Sequence, residues 1–220
     1  MHGLVNRSIQ NFVADTCGAA VWAQIAQAAD LPPEGFEPML TYDDMVTDQL
    51  LNVAAEALGK PEATLLEDLG TYLVSHDTNR RVRRLLRFSG ETFADFLHSL
   101  DDLPSRTKLA MPDLELPELE LREEQTGNFR LFVCSMQRGW GYVMLGLLRA
   151  MADDYGALAL LEMAPGPSSI AVVEIGLLDS AFAEGRSFSL AEQDWGLPAD
   201  AEADVPSDAS KHAGGTGTNG

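Results

Sequence analysis

Five of the chain's fifteen lysine and arginine residues fall within eight positions, as Arg80, Arg81, Arg83, Arg84 and Arg87. Guanidinium groups at that density bind carboxylates or phosphates through forked, charge-assisted pairs. On a helix, positions 80, 83, 84 and 87 share one face. The stretch is therefore a candidate landing site for an acidic partner or an anionic ligand, against the plainer alternative of a solvated face that offsets nearby Asp and Glu. The other reactive side chains are dispersed. His2, His76, His98 and His212 have no metal-ligand spacing, and Cys17 and Cys134 cannot make a disulfide framework. There is no G-x-S-x-G elbow, Walker loop, H-E-x-x-H or paired-cysteine zinc pattern. No catalytic or metal site is expected, and the chain reads as a non-enzyme.

Charge narrows the partners. Against 15 basic residues stand 34 acidic ones, a formal charge of −19. That balance argues against nucleic acid, whose binding depends on neutralising phosphates, and against an anionic membrane surface. An apolar fraction of 45% is ordinary for a globular chain. No apolar run is long enough to span a bilayer, and MHGLVNRSIQ lacks the core of a signal peptide, so a cytoplasmic protein is expected. Residues 181–220 are acidic and poor in large apolar side chains, which predicts a disordered tail with Phe188, Leu190 and Trp195 as a short docking segment at most.

The elements that must position these residues change period along the chain. Val5, Ile9, Phe12 and Val13 recur at helical spacing up to Gly18. Val21, Trp22 and Ile25 mark a second helix, stopped by Pro32 and Pro33; Leu50, Leu51 and Ala54 mark a third, and Leu65, Leu66, Leu69 and Tyr72 a fourth. Thr92 and Asp95 read as a capping pair. Leu114 to Leu121 and Phe129 to Val133 alternate like strands, 138–155 reads as a long helix, and 157–163 with 170–178 reads as a hairpin. The expected class is α+β: an N-terminal helical subdomain, then an antiparallel sheet crossed by a long helix.

In order and spacing, the opening Met1-His-Gly-Leu-Val-Asn-Arg, Phe12-Val13, Trp22, Tyr42-Asp-Asp and Leu69-Gly-Thr-Tyr72 are similar to the H-NOX (heme-nitric oxide/oxygen binding) domain. The run from Gly90 to Leu103 continues the likeness. The resemblance implies one domain over 1–180, with a distal helical part over about 1–65 and a proximal part over 66–180. It further implies a b-type heme between them, an axial histidine, and a Tyr-x-Ser-x-Arg motif holding the propionates. Nitric oxide binding would loosen the iron–histidine bond and signal to a partner such as a histidine kinase or a cyclase.

At the decisive positions the sequence departs from that pattern. The family's Leu-Asp-x-Leu-His run stands here as Leu100-Asp-Asp-Leu-Pro104, with Pro112 eight residues on. Pro104 therefore takes the axial position, and proline has no lone pair to give iron. The propionate motif stands as Cys134-Ser-Met136-Gln-Arg138, with only the arginine kept. Val5, Ile9 and Val143 fall on the distal side, Val143 where oxygen-binding relatives place a tyrosine, so a diatomic gas is a ligand only if heme is bound. Met136, Met144 and Trp140 are candidates to fill vacated space, and Met111 reads as no better a substitute ligand than Cys134 or Met136. The alternative to a heme-based sensor is a heme-free ligand-binding or protein-interaction module that uses the Arg80–Arg87 stretch.

Overall fold

His2 begins the first helix: its ring nitrogen Nδ1 accepts from the Leu4 N–H at 3.1 Å, satisfying one of the donors that a helix start leaves open. In the computed structural model, which describes residues 1–179 apart from positions 33, 89 and 168, helix α1 (Gly3–Cys17) ends at Gly18, whose φ of 97° suits glycine. The expected tail, with Phe188, Leu190, Trp195 and His212, lies outside the described residues. Helix α2 (Ala19–Ala28) stops short of Pro32, and α3 (Asp44–Leu58) runs from an Asp43 cap to Gly59 in the left-handed region. Helix α4 (Glu62–Ser75) completes a first core around Ile9, Val13, Ile25, Leu50 and Leu65.

The second core needs the sheet. Beyond α4 come α5 (Arg80–Arg87), α6 (Phe93–His98), a 3₁₀ turn at Leu100–Asp102 and α7 (Leu103–Ala110). The Thr92–Asp95 pair forms the expected reciprocal capping box at the start of α6. Strands β1 (Glu118–Gln125) and β2 (Asn128–Cys134) precede α8 (Trp140–Tyr155), and β3 (Leu158–Ala164) and β4 (Ile170–Asp179) follow it. The strands pair antiparallel in the order β1-β2-β4-β3, with Leu131 opposite Val173 at the centre. Alternation places Phe129, Leu131, Val133, Val173 and Ile175 against α8 and against Phe96, Leu97 and Leu100. The first strand starts at Glu118 rather than Leu114, because Pro117 has no N–H to give a ladder. Asp101 accepts the Leu121 N–H at 2.7 Å, tying the 3₁₀ turn to the edge strand. This is the α+β architecture expected from the sequence.

A boundary at residue 65 would cut α4, and the packing runs otherwise. Leu65, Leu66, Leu69 and Tyr72 belong to the first core, while Val74 belongs to the second. Helices α4 and α8 approach closely enough at Gly70 and Gly146 that no Cβ fits there. A Cβ on Gly70 would collide with the Val143 carbonyl, and one on Gly146 with the Glu67 carbonyl. Thr71 Oγ1 spans the joint to the Gly146 carbonyl at 3.3 Å.

Two predictions follow from these contacts. Alanine is the better helix former by about 1 kcal/mol, but here backbone must move to admit it, and overpacking of that kind costs roughly 1–3 kcal/mol. Gly70→Ala and Gly146→Ala should each lower the urea midpoint; a raised midpoint would show that the helices separate freely. The second concerns Tyr72, whose hydroxyl donates to Asp15 Oδ2 at 2.6 Å. Burial, and then the Asp15 carboxylate, push its phenol up to about 12. A raised folded-state value makes a stabilising contribution that is whole below the ordinary value near 10 and disappears as the pH rises towards about 12. Tyr72→Phe should therefore lose less stability than the parent over that interval in thermal melts.

Candidate functional site

Where the two cores meet they leave a cavity of about 230 Å³. Val5 and Ile9 of α1, Leu69 of α4, and Val143, Met144 and Leu147 of α8 form part of its wall. Leu103, Thr107 and Met111 close it from α7 and the residue after it. Val82 and Leu85 of α5 line it while remaining 37% and 44% exposed, so α5 borders its mouth. The cavity exceeds the roughly 150 Å³ that admits benzene and falls short of the roughly 300 Å³ at which drug-sized pockets begin. Its polar lining is sparse. Ser8 donates to the Leu4 carbonyl and Thr47 to Asn6 Oδ1, so neither hydroxyl proton is free for a ligand.

The residues singled out from the sequence separate into two groups. Val5, Ile9, Val143 and Arg138 line the cavity. Pro104, Cys134 and Met136 do not: they border a different, open hollow on the surface together with Ser135 and Lys108. Met136 is fully exposed and fills no space, whereas Trp140 and Met144 do line the cavity. Helix geometry accounts for Pro104. Leu103, Thr107 and Met111 are spaced by four and face inward, and Pro104 lies about 100° around from Leu103 in the first turn, where a missing N–H is harmless. Met111, four residues beyond Thr107 and just past the end of α7, also lines the cavity.

These side chains do not fit a heme held in the family's usual way. An axial imidazole is needed for iron, and forked donors for two carboxylates. His2 caps α1, His76 sits beside Asp15, and His98 lies near Glu123 and edge-on to Phe129; none of the three lines the cavity. Arg138 is largely exposed and meets Asp48 only at 4.0 Å, while Cys134 and Met136 supply no hydroxyl. Nearby, the N-terminal ammonium and Gln137 both bind Asp44, and the ammonium's hydrogen bond holds that carboxyl below its ordinary range. Among the described residues no group of three His, Cys, Asp or Glu is arranged to hold a metal ion.

The arginine cluster is also divided. Arg83 and Arg87 turn inward onto Asp154 of α8, and the Arg87 guanidinium lies 3.8 Å from the centre of the Tyr155 ring. Burial raises the Tyr155 phenol, and the charge of Arg87 works against that. Arg80, Arg81 and Arg84 stay exposed, so the outward set includes Arg81 and loses Arg83 and Arg87. Sequence reasoning missed Asp154 as the counter-charge. Its signal was an aspartate in the last turn of a helix, where the dipole disfavours it unless a cation is present.

Comparison with known proteins places this geometry. The sequence profile described as "Haem-NO-binding" matches residues 2–160. Soluble guanylate cyclase gcy-31 of Caenorhabditis elegans is 22% identical over 154 residues, which is 70% of this chain and 22% of that protein. Soluble guanylate cyclase 89Da of Drosophila melanogaster is 19% identical over 160 residues, 73% of this chain and 24% of its own. The chain thus spans about a quarter of the length of these relatives. Among solved structures, the Fe(II) unliganded H-NOX protein from K. algicida superposes with a TM-score of 0.71 at 17% identity, covering 83% of this chain and 99% of that one. The H-NOX protein from S. oneidensis in the Fe(II)NO state gives 0.69 at 15%, covering 81% and 100%. At these identities the structural likeness shows a shared fold.

The division of the arginines predicts a contrast in stability. Asp154 is only 6% exposed, and removing one partner of a buried ion pair costs up to about 3–5 kcal/mol, less here because Arg83 reaches water. Asp154→Ala should destabilise by about 2–3 kcal/mol in denaturant unfolding, and the joint Arg81→Ala and Arg84→Ala change by less than about 0.5 kcal/mol. Equal effects would mean that the inner pairs are ordinary surface contacts.

Proposed function

The chain belongs to the haem-NO-binding (H-NOX) family, and from that membership we propose that it is a sensory or regulatory domain whose input does not pass through a histidine–iron bond. One observation carries the reading: the side chains facing the cavity from the axial-ligand segment are Leu103, Thr107 and Met111, with Pro104 outside it and no described histidine in the wall. The cavity itself persists between the two cores, which is where a ligand can couple to their relative positions. Filling it would press α7 and α5 away from α1 and α4, while the glycine joint of α4 and α8 holds the centre. A shift of packed helices of this kind is a common signalling device. The downstream partner we assign is a signalling enzyme, a cyclase as in the relatives' names or a histidine kinase, with this domain regulating and not catalysing.

A second reading has one observation in its favour. Met111 brings a thioether to the cavity wall, and thioethers ligate heme iron elsewhere, so a weakly held heme with Met111 beneath the iron is the alternative. Absorption spectra of protein expressed with a heme precursor separate the two. The proposal expects no stoichiometric Soret band, and none after Pro104→His, because position 104 borders the outer hollow and not the cavity. A stoichiometric band in the parent protein would overturn the proposal, and its loss in Met111→Ala would establish the second reading.

A further inference from the structure

We propose that the cavity binds a small uncharged molecule, an apolar body of about nine heavy atoms with one hydrogen-bond-accepting oxygen, and that the Thr107 hydroxyl is the donor to that oxygen. The inference rests on the heme-independent reading, because such a molecule and a porphyrin would occupy the same space. Three observations lead to it.

The first is the state of Thr107. It is 5% exposed and lines the cavity from α7, one turn beyond Leu103. Serine and threonine within a helix commonly turn the hydroxyl back onto the carbonyl four residues earlier. Ser8, Thr16, Thr71 and Ser75 all do so. Among the described residues the Thr107 hydroxyl has neither that bond nor any other hydrogen-bond partner. A buried hydroxyl left unpaired is costly to a fold. This one stands beside an interior space large enough to hold its partner.

The second is the rest of the polar wall. The hydroxyl protons of Ser8 and Thr47 are committed, and the Trp140 indole N–H donates to Gln137 Oε1 at 3.4 Å. The two cations in the wall are matched as well: the Met1 ammonium binds Asp44 and the Tyr42 carbonyl, and Arg138 stands 4.0 Å from Asp48. A charged ligand would give up its water without gaining an uncompensated partner. One free donor in otherwise apolar surroundings selects a neutral molecule with a single polar atom.

The third is size and access. Benzene occupies an apolar cavity of roughly 150 Å³, so in proportion about 230 Å³ takes about nine heavy atoms. Val82 and Leu85 of α5 line the cavity while partly exposed, which gives a route in from water. A hydrogen bond to Thr107 would tie α7 to a molecule packed against α1, α4 and α8, so occupancy is felt by the helix that the two cores share the cavity with.

Acetophenone is a probe of that size with one carbonyl; α-methylstyrene is its isostere without the oxygen, and benzoate is its anionic counterpart. Two-dimensional NMR titrations of the isotope-labelled full chain, prepared without added heme, test the assignment. Acetophenone should saturate one site, with its largest shifts at the Thr107 amide and the Trp140 indole N–H. The isostere should bind about fivefold more weakly, and benzoate should not bind. Thr107→Val keeps the side-chain shape and removes the hydroxyl. It should weaken acetophenone about fivefold, leave α-methylstyrene unchanged, and raise the thermal midpoint of the unliganded protein. Val143→Phe should abolish binding of both by occupying the space, and Leu73→Phe makes the same test from α4 if the first variant does not fold. Absence of saturable acetophenone binding overturns the proposal, as does binding shared equally by benzoate or indifferent to Thr107→Val. A lowered midpoint in Thr107→Val also overturns it, since the hydroxyl would then have a partner within the fold. A Soret band in the parent protein would count against the heme-independent reading whatever acetophenone does; a colourless, folded protein that ignores acetophenone fails only the ligand assignment.

Discussion

Everything in this molecule is hung on the bare contact between α4 and α8. Two glycines, Gly70 and Gly146, let the helix backbones touch each other's carbonyls. At these two points the contact leaves no room for a methyl group. It sets how far apart the distal helices and the sheet-backed second core can be. The residual space between them follows from that spacing, since α1 and α3 reach the cavity from one side and α7 from the other. A cavity produced in this way is a property of the scaffold, set by the approach of α4 and α8.

Much of this was legible in the residue pattern. Helical spacing of Val5, Ile9, Phe12 and Val13, the Thr92–Asp95 cap, and alternation through Phe129, Leu131 and Val133 each identify their element, because each encodes a local geometry that needs no partner to interpret. Gly18 and Gly59 stop helices for equally local reasons.

What escaped the sequence is what depends on packing across elements. Five arginines in one helix cannot announce which of them face an aspartate 70 residues away, so Arg83 and Arg87 looked like part of one outward face until Asp154 was seen to gather them. Cys134 and Met136, which the family resemblance would set at the propionates, border the open hollow beside Pro104 and not the cavity. Met111 was underestimated for the opposite reason: its direction depends on where α7 begins, and two residues of error in a helix start rotate a side chain by more than half a turn.

Pro104 has an energetic meaning of its own. A metal ligand in the first turn of a helix links that turn's folding to the metal, and the linkage makes the domain's stability rise and fall with cofactor supply. Proline at this position does the opposite. Its ring presets the backbone angle that the first turn of α7 requires, and it gives up only an N–H that the turn would leave unpaired. The first turn of α7 is therefore stabilised by the covalent geometry of its own chain at residue 104.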